Sequence, residues 1–417
     1  MTQPAPLLDE LVWRGLLHQN TEGLAEALAA RSLSAYCGFD PTASSMHVGN
    51  LVPVMGLMHL QRAGHRPYAV VGGGTGLIGD PSGKTAERQL NSLQLVEENS
   101  RGLRAQLEHF LEFTGPNAAQ MRNNADWLLP LGAIEFMRDV GKHFTVNYMI
   151  AKESVQQRIE SGISYTEFSY MLLQAYDYRE LFRREGVTLQ VGGSDQWGNI
   201  TAGLELIRRT EGGEAHALTF PLVTNASGTK FGKTESGNVW LDAERTSPYR
   251  FYQFWMNVDD RDAGRYLRFF TLLSRQAIEE LDREIAECPQ ERAAQQALAR
   301  EVTTRVHGAD AANVAEDVSR LLFAKGDPAS LSRDALEALS REVPFVEMRE
   351  LTGVVDGLVE LKLVASKGAA RRLVEQGGAS VNGRRIAAGD TPGEPLAGGY
   401  YLFRKGARDY GLIRTKP

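Results

Sequence analysis

A doubly wound parallel-sheet α/β fold, followed by a helical domain and a small α+β domain, is predicted by three features of this 417-residue chain. Twice a short apolar strand runs into a Gly-bearing turn and then a helix, at Tyr36–Asn50 and at Thr188–Gly198. Such turns leave backbone N–H groups free at the positive end of a helix, where α/β proteins hold phosphate. Between them, Arg66–Val71 reads as a buried parallel strand, so that strand, helix and strand form a right-handed crossover unit. The third feature is a change of period. Helical spacing runs from Ser247-Pro248 to about Phe323, and short alternating strands return only near the end. Two strand–turn–helix halves facing one crevice make the first part Rossmann-like.

The elements follow in order. Residues 1–30 place Leu7, Leu8, Leu11 and Val12, then Leu16, Leu17, Leu24 and Leu28, at helical spacing. Residues 31–38 form the first strand, and Leu51–Ala63 a helix that stops at Gly64. After Arg66–Val71 comes the run Gly72–Lys84, then a helix over 87–111. Residues 116–165 are mixed. Trp127, Met137, Phe144, Tyr148 and Met149 give this insertion the apolar content of a subunit interface or, equally, of an ordinary packed subdomain. A helix over Glu167–Leu181 leads to the second strand–turn–helix unit, which ends at Arg209, and His216–Pro221 is a further strand. Residues 223–247 hold a polar, Gly-rich loop over 225–238. Ser247 at N-cap and Pro248 at N1 open the helical domain, 248–325. A linker over 326–344 contains one helix. In the last domain, 345–417, helices are expected around Phe345–Leu351 and Lys367–Gln376. Strands are expected at Ala379–Val381, Tyr400–Arg404 and Tyr410–Arg414, with Asn382-Gly383 as a hairpin turn.

Composition narrows the function classes. With 42% hydrophobic and 24% charged residues the chain is of the ordinary globular kind. No apolar run approaches the ~18 residues of a membrane helix, and the start lacks a basic segment followed by an apolar one. Two cysteines, Cys37 and Cys288, make neither a disulfide framework nor a Cys-rich metal site, which points to a reducing, cytoplasmic compartment. The net charge of −6 is uneven. Residues 350–417 carry eleven Lys and Arg against seven Asp and Glu, a basic module (+4) on an acidic body (−10), as in an RNA- or phosphate-contacting appendix or, on charge alone equally, a solvated surface of uneven charge.

Three polar clusters carry chemistry. Thr42 and His47 sit between the first strand and its helix. Lys230 and Lys233-Thr234 lie on the Gly-rich loop, where lysines reach a triphosphate as point charges. Gly193-Ser194-Asp195-Gln196 follows a strand end, where an Asp is placed to bond a ribose hydroxyl. Singly these are weak signals; their order and separation make them a set.

Residues 39–50, Phe-Asp-Pro-Thr-Ala-Ser-Ser-Met-His-Val-Gly-Asn, resemble the HIGH signature of class I aminoacyl-tRNA synthetases, and residues 230–234, Lys-Phe-Gly-Lys-Thr, resemble its KMSKS signature. With the stretches Thr166–Asp177 and Val191–Asn199, the match over about 31–240 is similar to bacterial tyrosyl-tRNA synthetases. Residues 345–414 resemble an S4 RNA-binding domain. Three positions depart from the pattern: Asn50 replaces the last His of the first signature, Phe231-Gly232 replaces Met-Ser in the second, and Tyr165 stands where some members carry Phe.

The resemblance implies roles. Tyr36 and Asp177 would bind the tyrosine phenol; Asp80, Tyr170 and Gln174 the ammonium; Gln196 the carboxylate. ATP would meet Cys37, Gly38, Asp40, Gly49, Asn50, Gly193 and Asp195. Thr42, His47, Lys84, Arg88, Lys230, Lys233 and Thr234 would stabilise the reacting phosphates, with Mg2+ accompanying ATP and no structural metal in the protein. The helical domain would take the anticodon region, and Arg371, Arg372, Arg384 and Arg385 would contact tRNA phosphates. A homodimer is implied. A tryptophanyl enzyme or a small-acid adenylating ligase, and an RNA-binding protein that has lost catalysis, are the competing readings. Tyr36 with Asp177 argues for a phenol, the tail argues against a ligase for small molecules alone, and the presence of His47, Asp80 and Lys233 argues against lost catalysis.

Overall fold

The computed structural model describes residues 6–82, 89–159, 162–226, 228, 231–234, 237–324 and 326–416. Six strands form its first sheet: β1 (Gln19–Asn20), β2 (Ser34–Phe39), β3 (Arg66–Val71), β4 (Gln120–Asn123), β5 (Val187–Gly193) and β6 (His216–Phe220). They lie in the order β1-β6-β5-β2-β3-β4, and all neighbours are parallel except β1 and β6. The sheet is therefore mixed. Gln19–Asn20, inside a stretch expected to be helical, covers one edge with two residues, too few to show any alternation.

From β2 the chain winds through β3 to β4, and from β5 it winds the other way to β6. Right-handed crossovers in opposite directions place their helices on opposite faces of the sheet. The helix Leu51–Arg62 covers one face, with almost every side chain buried. The helices Tyr165–Glu185 and Trp197–Thr210 pack on each other over the other face, sharing a core with Tyr36, Tyr68 and Val70. Strand order reverses between β2 and β5, and the crevice at their C-terminal ends is where such sheets bind ligands.

Close packing against the first face depends on Gly56. A Cβ there would overlap the Phe220 ring, which is fully buried. We expect Gly56→Ala to destabilise the protein by about 1–3 kcal/mol in chemical denaturation, since an extra methyl group in a filled core forces side chains off their rotamers. An unchanged midpoint would show that Phe220 moves aside freely.

The segment read as an insertion contributes β4 and several short helices rather than a separate layer. Trp127, Phe144 and Met149 are core residues, whereas Leu129, Ile134, Met137 and Val146 are exposed. The loop after β6 forms a two-stranded ribbon, β7 (Lys233–Thr234) with β8 (Gly237–Asn238).

By packing, the chain forms two units. Met1–Thr246 and Val258–Leu298 make one; Ser247–Asn257 and Ala299–Pro417 make the other. The helices Asp260–Phe270 and Arg275–Glu287 thus belong to the first unit, with Asp260–Phe270 against Leu51–Arg62. In the second, the helix Pro248–Met256 starts as the sequence indicates, with the Ser247 hydroxyl accepting the Arg250 N–H and Pro248 at N1, and packs on Ala309–Phe323. Five strands follow: β9 (Phe345–Met348), β10 (Ala379–Val381), β11 (Arg384–Arg385), β12 (Tyr400–Lys405) and β13 (Asp409–Thr415), in the order β11-β10-β12-β13-β9. Asn382 and Gly383 both have positive φ, the requirement of a two-residue type I′ hairpin.

One expectation fails here. Phe345–Met348 is a strand, parallel to β13 with Phe345 opposite Leu412, and the helix lies later, at Val354–Glu360. Four residues are too few to separate the two periods, and the open edge of β13 decides in favour of the strand.

Candidate active site

A cavity of about 760 Å3 opens at the switch point. It is lined by Tyr36, Cys37, Gly38, Asp40, Thr42, His47, Gly49, Asn50, Asp80, Tyr170, Gln174, Asp177, Gly193, Asp195 and Gln196. All the candidate residues of this unit whose side chains are described therefore converge on one space. Lys84, Arg88 and Lys230 lie outside the described residues, as do the side chains of Lys233 and Thr234, whose backbone forms β7.

Strand alternation divides the work of β2. Successive side chains leave opposite faces, so Tyr36 enters the core under Tyr165–Glu185 while Cys37 turns to the face under Leu51–Arg62. Burial pushes the Cys37 thiol up to about 12, which leaves it a neutral, weak hydrogen-bonding group. The Tyr36 ring meets that of Tyr178 edge-on at 5.2 Å, and its hydroxyl is buried with no hydrogen-bond partner. Asp177, 4% exposed, accepts from Trp127 Nε1 at 2.7 Å and Asn124 Nδ2 at 2.9 Å. Burial raises its pKa to about 7, against the pull of those two donors.

A second carboxylate, Asp80, accepts from Gln196 Nε2 at 2.7 Å and from the Ser82 N–H at 2.9 Å. Asn199 Nδ2 reaches Gln174 Oε1 at 3.1 Å and Gln196 Oε1 at 3.3 Å. Tyr170 and Gln174, one turn apart, line the same wall, but the Tyr170 hydroxyl donates to Asp40 Oδ2 at 2.7 Å rather than to Asp80. Its oxygen remains able to accept. Asp80, held by Gln196, gives this wall of the cavity a carboxylate suited to an ammonium group.

The turn after β2 is rigidly made. The Thr42 N–H donates to the Asp40 carbonyl at 2.8 Å. His47 caps the 3-10 turn Val48–Asn50: its Nδ1 accepts the Gly49 N–H at 3.0 Å, and its own N–H donates to Asn50 Oδ1 at 3.0 Å. Because Nδ1 is an acceptor, the neutral ring carries its proton on Nε2. Gly49 is required by this ring, since a Cβ would stand 2.8 Å from its Cε1. A Cβ on Gly38 would enter open space, so its backbone is what faces the cavity. Trp240 pairs with His47 in an antiparallel bridge, and the Val48 N–H donates to the Val239 carbonyl at 3.0 Å. Through this pairing the segment after the lysine loop is laid against the His-bearing stretch.

Sequence reasoning misses Thr75, Ser82, Asn124, Gln190, Asn199 and Trp240, all polar groups in or beside the cavity, and leaves Trp127 open between an interface and a packed core. The signal was present for Asn124, which stands just past the end of a parallel strand, where such folds place ligand-facing groups. The strand itself, Gln-Met-Arg-Asn, is too short and too polar to announce it.

Residues 28–324 match the model of class I tRNA synthetases (W and Y), and residues 335–413 match the SYY-like C-terminal domain of tyrosine–tRNA ligase. Tyrosine–tRNA ligase from Anaeromyxobacter dehalogenans strain 2CP-1 is 55% identical over 98% of this chain and 99% of its own. That of Geobacillus kaustophilus is 54% identical over the same shares. Among solved structures, a C-terminally truncated mitochondrial tyrosyl-tRNA synthetase from Aspergillus nidulans superposes with a TM-score of 0.70 at 29% identity, covering 77% of this chain and 95% of that one. A tryptophanyl-tRNA synthetase from Encephalitozoon cuniculi, 13% identical with a TM-score of 0.53 over 73% of this chain and 87% of its own, shares the fold alone. The chain belongs to the tyrosine–tRNA ligases of class I.

Proposed function

We infer that the cavity holds L-tyrosine and ATP side by side, so that the tyrosine carboxylate attacks the α-phosphorus and pyrophosphate leaves. Tyrosine then passes from the adenylate to the 3′-terminal adenosine of tRNA(Tyr). The observation that supports this reading best is that a buried Asp177 carboxyl and a Tyr36 hydroxyl without a partner line the same cavity. A phenol satisfies both, donating to Asp177 and accepting from Tyr36. A phenylalanine ring would leave both unpaired, at about 1–3 kcal/mol for each buried group. The ammonium is assigned to Asp80, Tyr170 and Gln174. Gln196, held by Asp80, lies beside that group and offers the carboxylate a neutral neighbour.

His47 and Thr42 are assigned to the phosphates, where charge develops as the bond to pyrophosphate breaks, and Cys37, Gly193 and Asp195 to the nucleoside. Lys84, Arg88, Lys230, Lys233 and Thr234 complete the phosphate contacts in this reading. No side chain need act as a nucleophile. Among the described residues no group of three or more His, Cys, Asp or Glu side chains is arranged around a metal position. We place magnesium on the phosphate oxygens and water that arrive with ATP. ATP–pyrophosphate exchange with each amino acid in turn tests the reading: tyrosine should drive exchange, and exchange driven only by tryptophan, or by none, would overturn it.

The exposed Leu129, Ile134, Met137 and Val146 supply an apolar surface suited to a homodimer contact. Replacing Ile134 and Met137 together with Glu should halve the mass seen in analytical ultracentrifugation; a persistent dimer would place the contact elsewhere. In the second unit Arg371, Arg372, Arg384 and Arg385 are exposed. Arg385 Nε donates to the Gly377 carbonyl at 2.7 Å, beside the end of the helix that carries Arg371 and Arg372, whereas Arg384 reaches the Thr391 carbonyl at 2.9 Å. Alanine at Arg371, Arg372 and Arg385 should weaken tRNA charging and flatten its salt dependence while sparing pyrophosphate exchange. Equal loss of both activities would contradict a role confined to tRNA. No helix among the described residues is long and apolar enough to cross a membrane.

A further inference from the structure

We propose that Thr75 is a positioning residue that couples the two halves of the site, joining the nucleotide-side Asp40 to the phenol-side Asp177. The inference rests on the assignments just made, with Asp40 taken as the start of the turn that receives ATP, and adds a connection between them. Asn124 Nδ2 uses its two hydrogens in two directions, one to Asp177 Oδ2 and one to Thr75 Oγ1, both at 2.9 Å. The Thr75 hydroxyl passes its own hydrogen to Asp40 Oδ1 at 2.7 Å. The Asn124 carbonyl oxygen accepts the Gly74 N–H at 2.7 Å, which fixes the orientation of the amide. Along the path from Asn124 to the two carboxylates every donor therefore points outward, and each end of the chain is a carboxylate. Asn124 and Thr75 are both buried, at 1% and 2% exposure.

The backbone is shaped to admit this chain. A Cβ on Gly72 would overlap both Asp40 Oδ1 and Thr75 Oγ1, so glycine keeps the path between them open. The other oxygen of Asp40 is taken by Tyr170, a member of the ammonium group. Asp40 is thus held from the amino-acid side through both oxygens. Hydrogen bonds in a chain polarise one another in a low-dielectric setting. A phenol donating to Asp177 weakens that carboxylate's hold on Asn124. The change is passed through Thr75 to Asp40 and so to the geometry of the turn that receives ATP.

The test is ligand coupling measured on the full protein. The Kd of a non-hydrolysable ATP analogue is determined with and without saturating tyrosine, in the wild type, in Thr75→Val, which keeps shape and removes the hydroxyl, and in Thr75→Ser, which restores it. Reciprocal coupling of ~5-fold or more is expected for the wild type and Thr75→Ser, falling to within ~2-fold of unity in Thr75→Val. Should Thr75→Val not fold, Thr75→Ala serves for the same loss of hydroxyl. Binding of each ligand alone reports on the site assignments, and only the change in coupling reports on Thr75. Coupling that survives loss of the hydroxyl, is not restored by serine, or is absent from the wild type would overturn the proposal.

Discussion

Asp177→Ala should lower kcat/KM for tyrosine by about 100-fold or more and shrink the margin over phenylalanine by most of that factor. The change removes the acceptor for the phenol, and it strands Asn124 Nδ2 and Trp127 Nε1, which now donate to the carboxylate at 2.9 and 2.7 Å. Each buried polar group left unpaired costs about 1–3 kcal/mol, and a lost bond to a charged partner lies near the upper end. Phenylalanine never used the acceptor, so its own rate should fall less. Equal losses for both amino acids would show that the carboxylate only supports the wall.

Asp177 also gives the reaction a pH dependence of definite sign. In the empty site its pKa is about 7, raised by burial. A phenol donates to the ionised form, so kcat/KM for tyrosine should rise as pH increases through about 7, and Asp177→Asn should flatten that limb. Stability runs the opposite way. Between the ordinary carboxylate range near 4 and about 7, the folded empty protein holds a proton that the unfolded chain has released, so this group makes stability fall as pH rises across that window. Thermal denaturation of wild type and Asp177→Asn between pH 5 and 8 checks it: the variant should lack that part of the slope.

Period and punctuation made the sheet legible. Arg66–Val71 is legible to the residue because it is a largely apolar run soon after Gly64, and Asn382-Gly383 because few dipeptides tolerate two positive φ angles. Gln120–Asn123 was lost because its pattern is only half-buried throughout, so neither alternation nor an apolar run announces a strand. The site divides along the same line. Residues in one contiguous signature, such as His47 with Asn50, were legible through its resemblance to the family motif. Thr75 and Asn199 were not, because their roles arise only where the ends of β5, β2, β3 and β4 meet along one edge of the sheet, and Asn124 is hidden with the strand that precedes it. The sharing of the helical region between two units is likewise a matter of long-range packing, to which helical periodicity is blind.

His47→Ala should slow adenylate formation by about 100- to 1,000-fold, the usual loss when one fixed donor to a developing charge is removed, while KM for tyrosine shifts by less than about threefold. The cap geometry allows the catalytic part of this loss to be separated from the structural part. His47 Nδ1 holds the Gly49 N–H, and the proton on Nε2 belongs to the far end of the ring. Asparagine at this position can still accept the Gly49 N–H, being among the best N-cap residues, but cannot reach where Nε2 lies. Glutamine gives up the short cap and extends an N–H farther. His47→Asn should therefore match the wild type in thermal stability and match His47→Ala in pre-steady-state rate, whereas His47→Gln should recover part of the rate with some loss of stability. Gly49→Ala, whose methyl group would press on the imidazole, should fall between them by displacing the ring without removing it. If asparagine restored the rate, His47 would be a helix cap and nothing more, and the charge on the departing pyrophosphate would have to be met by Thr42 and the lysines.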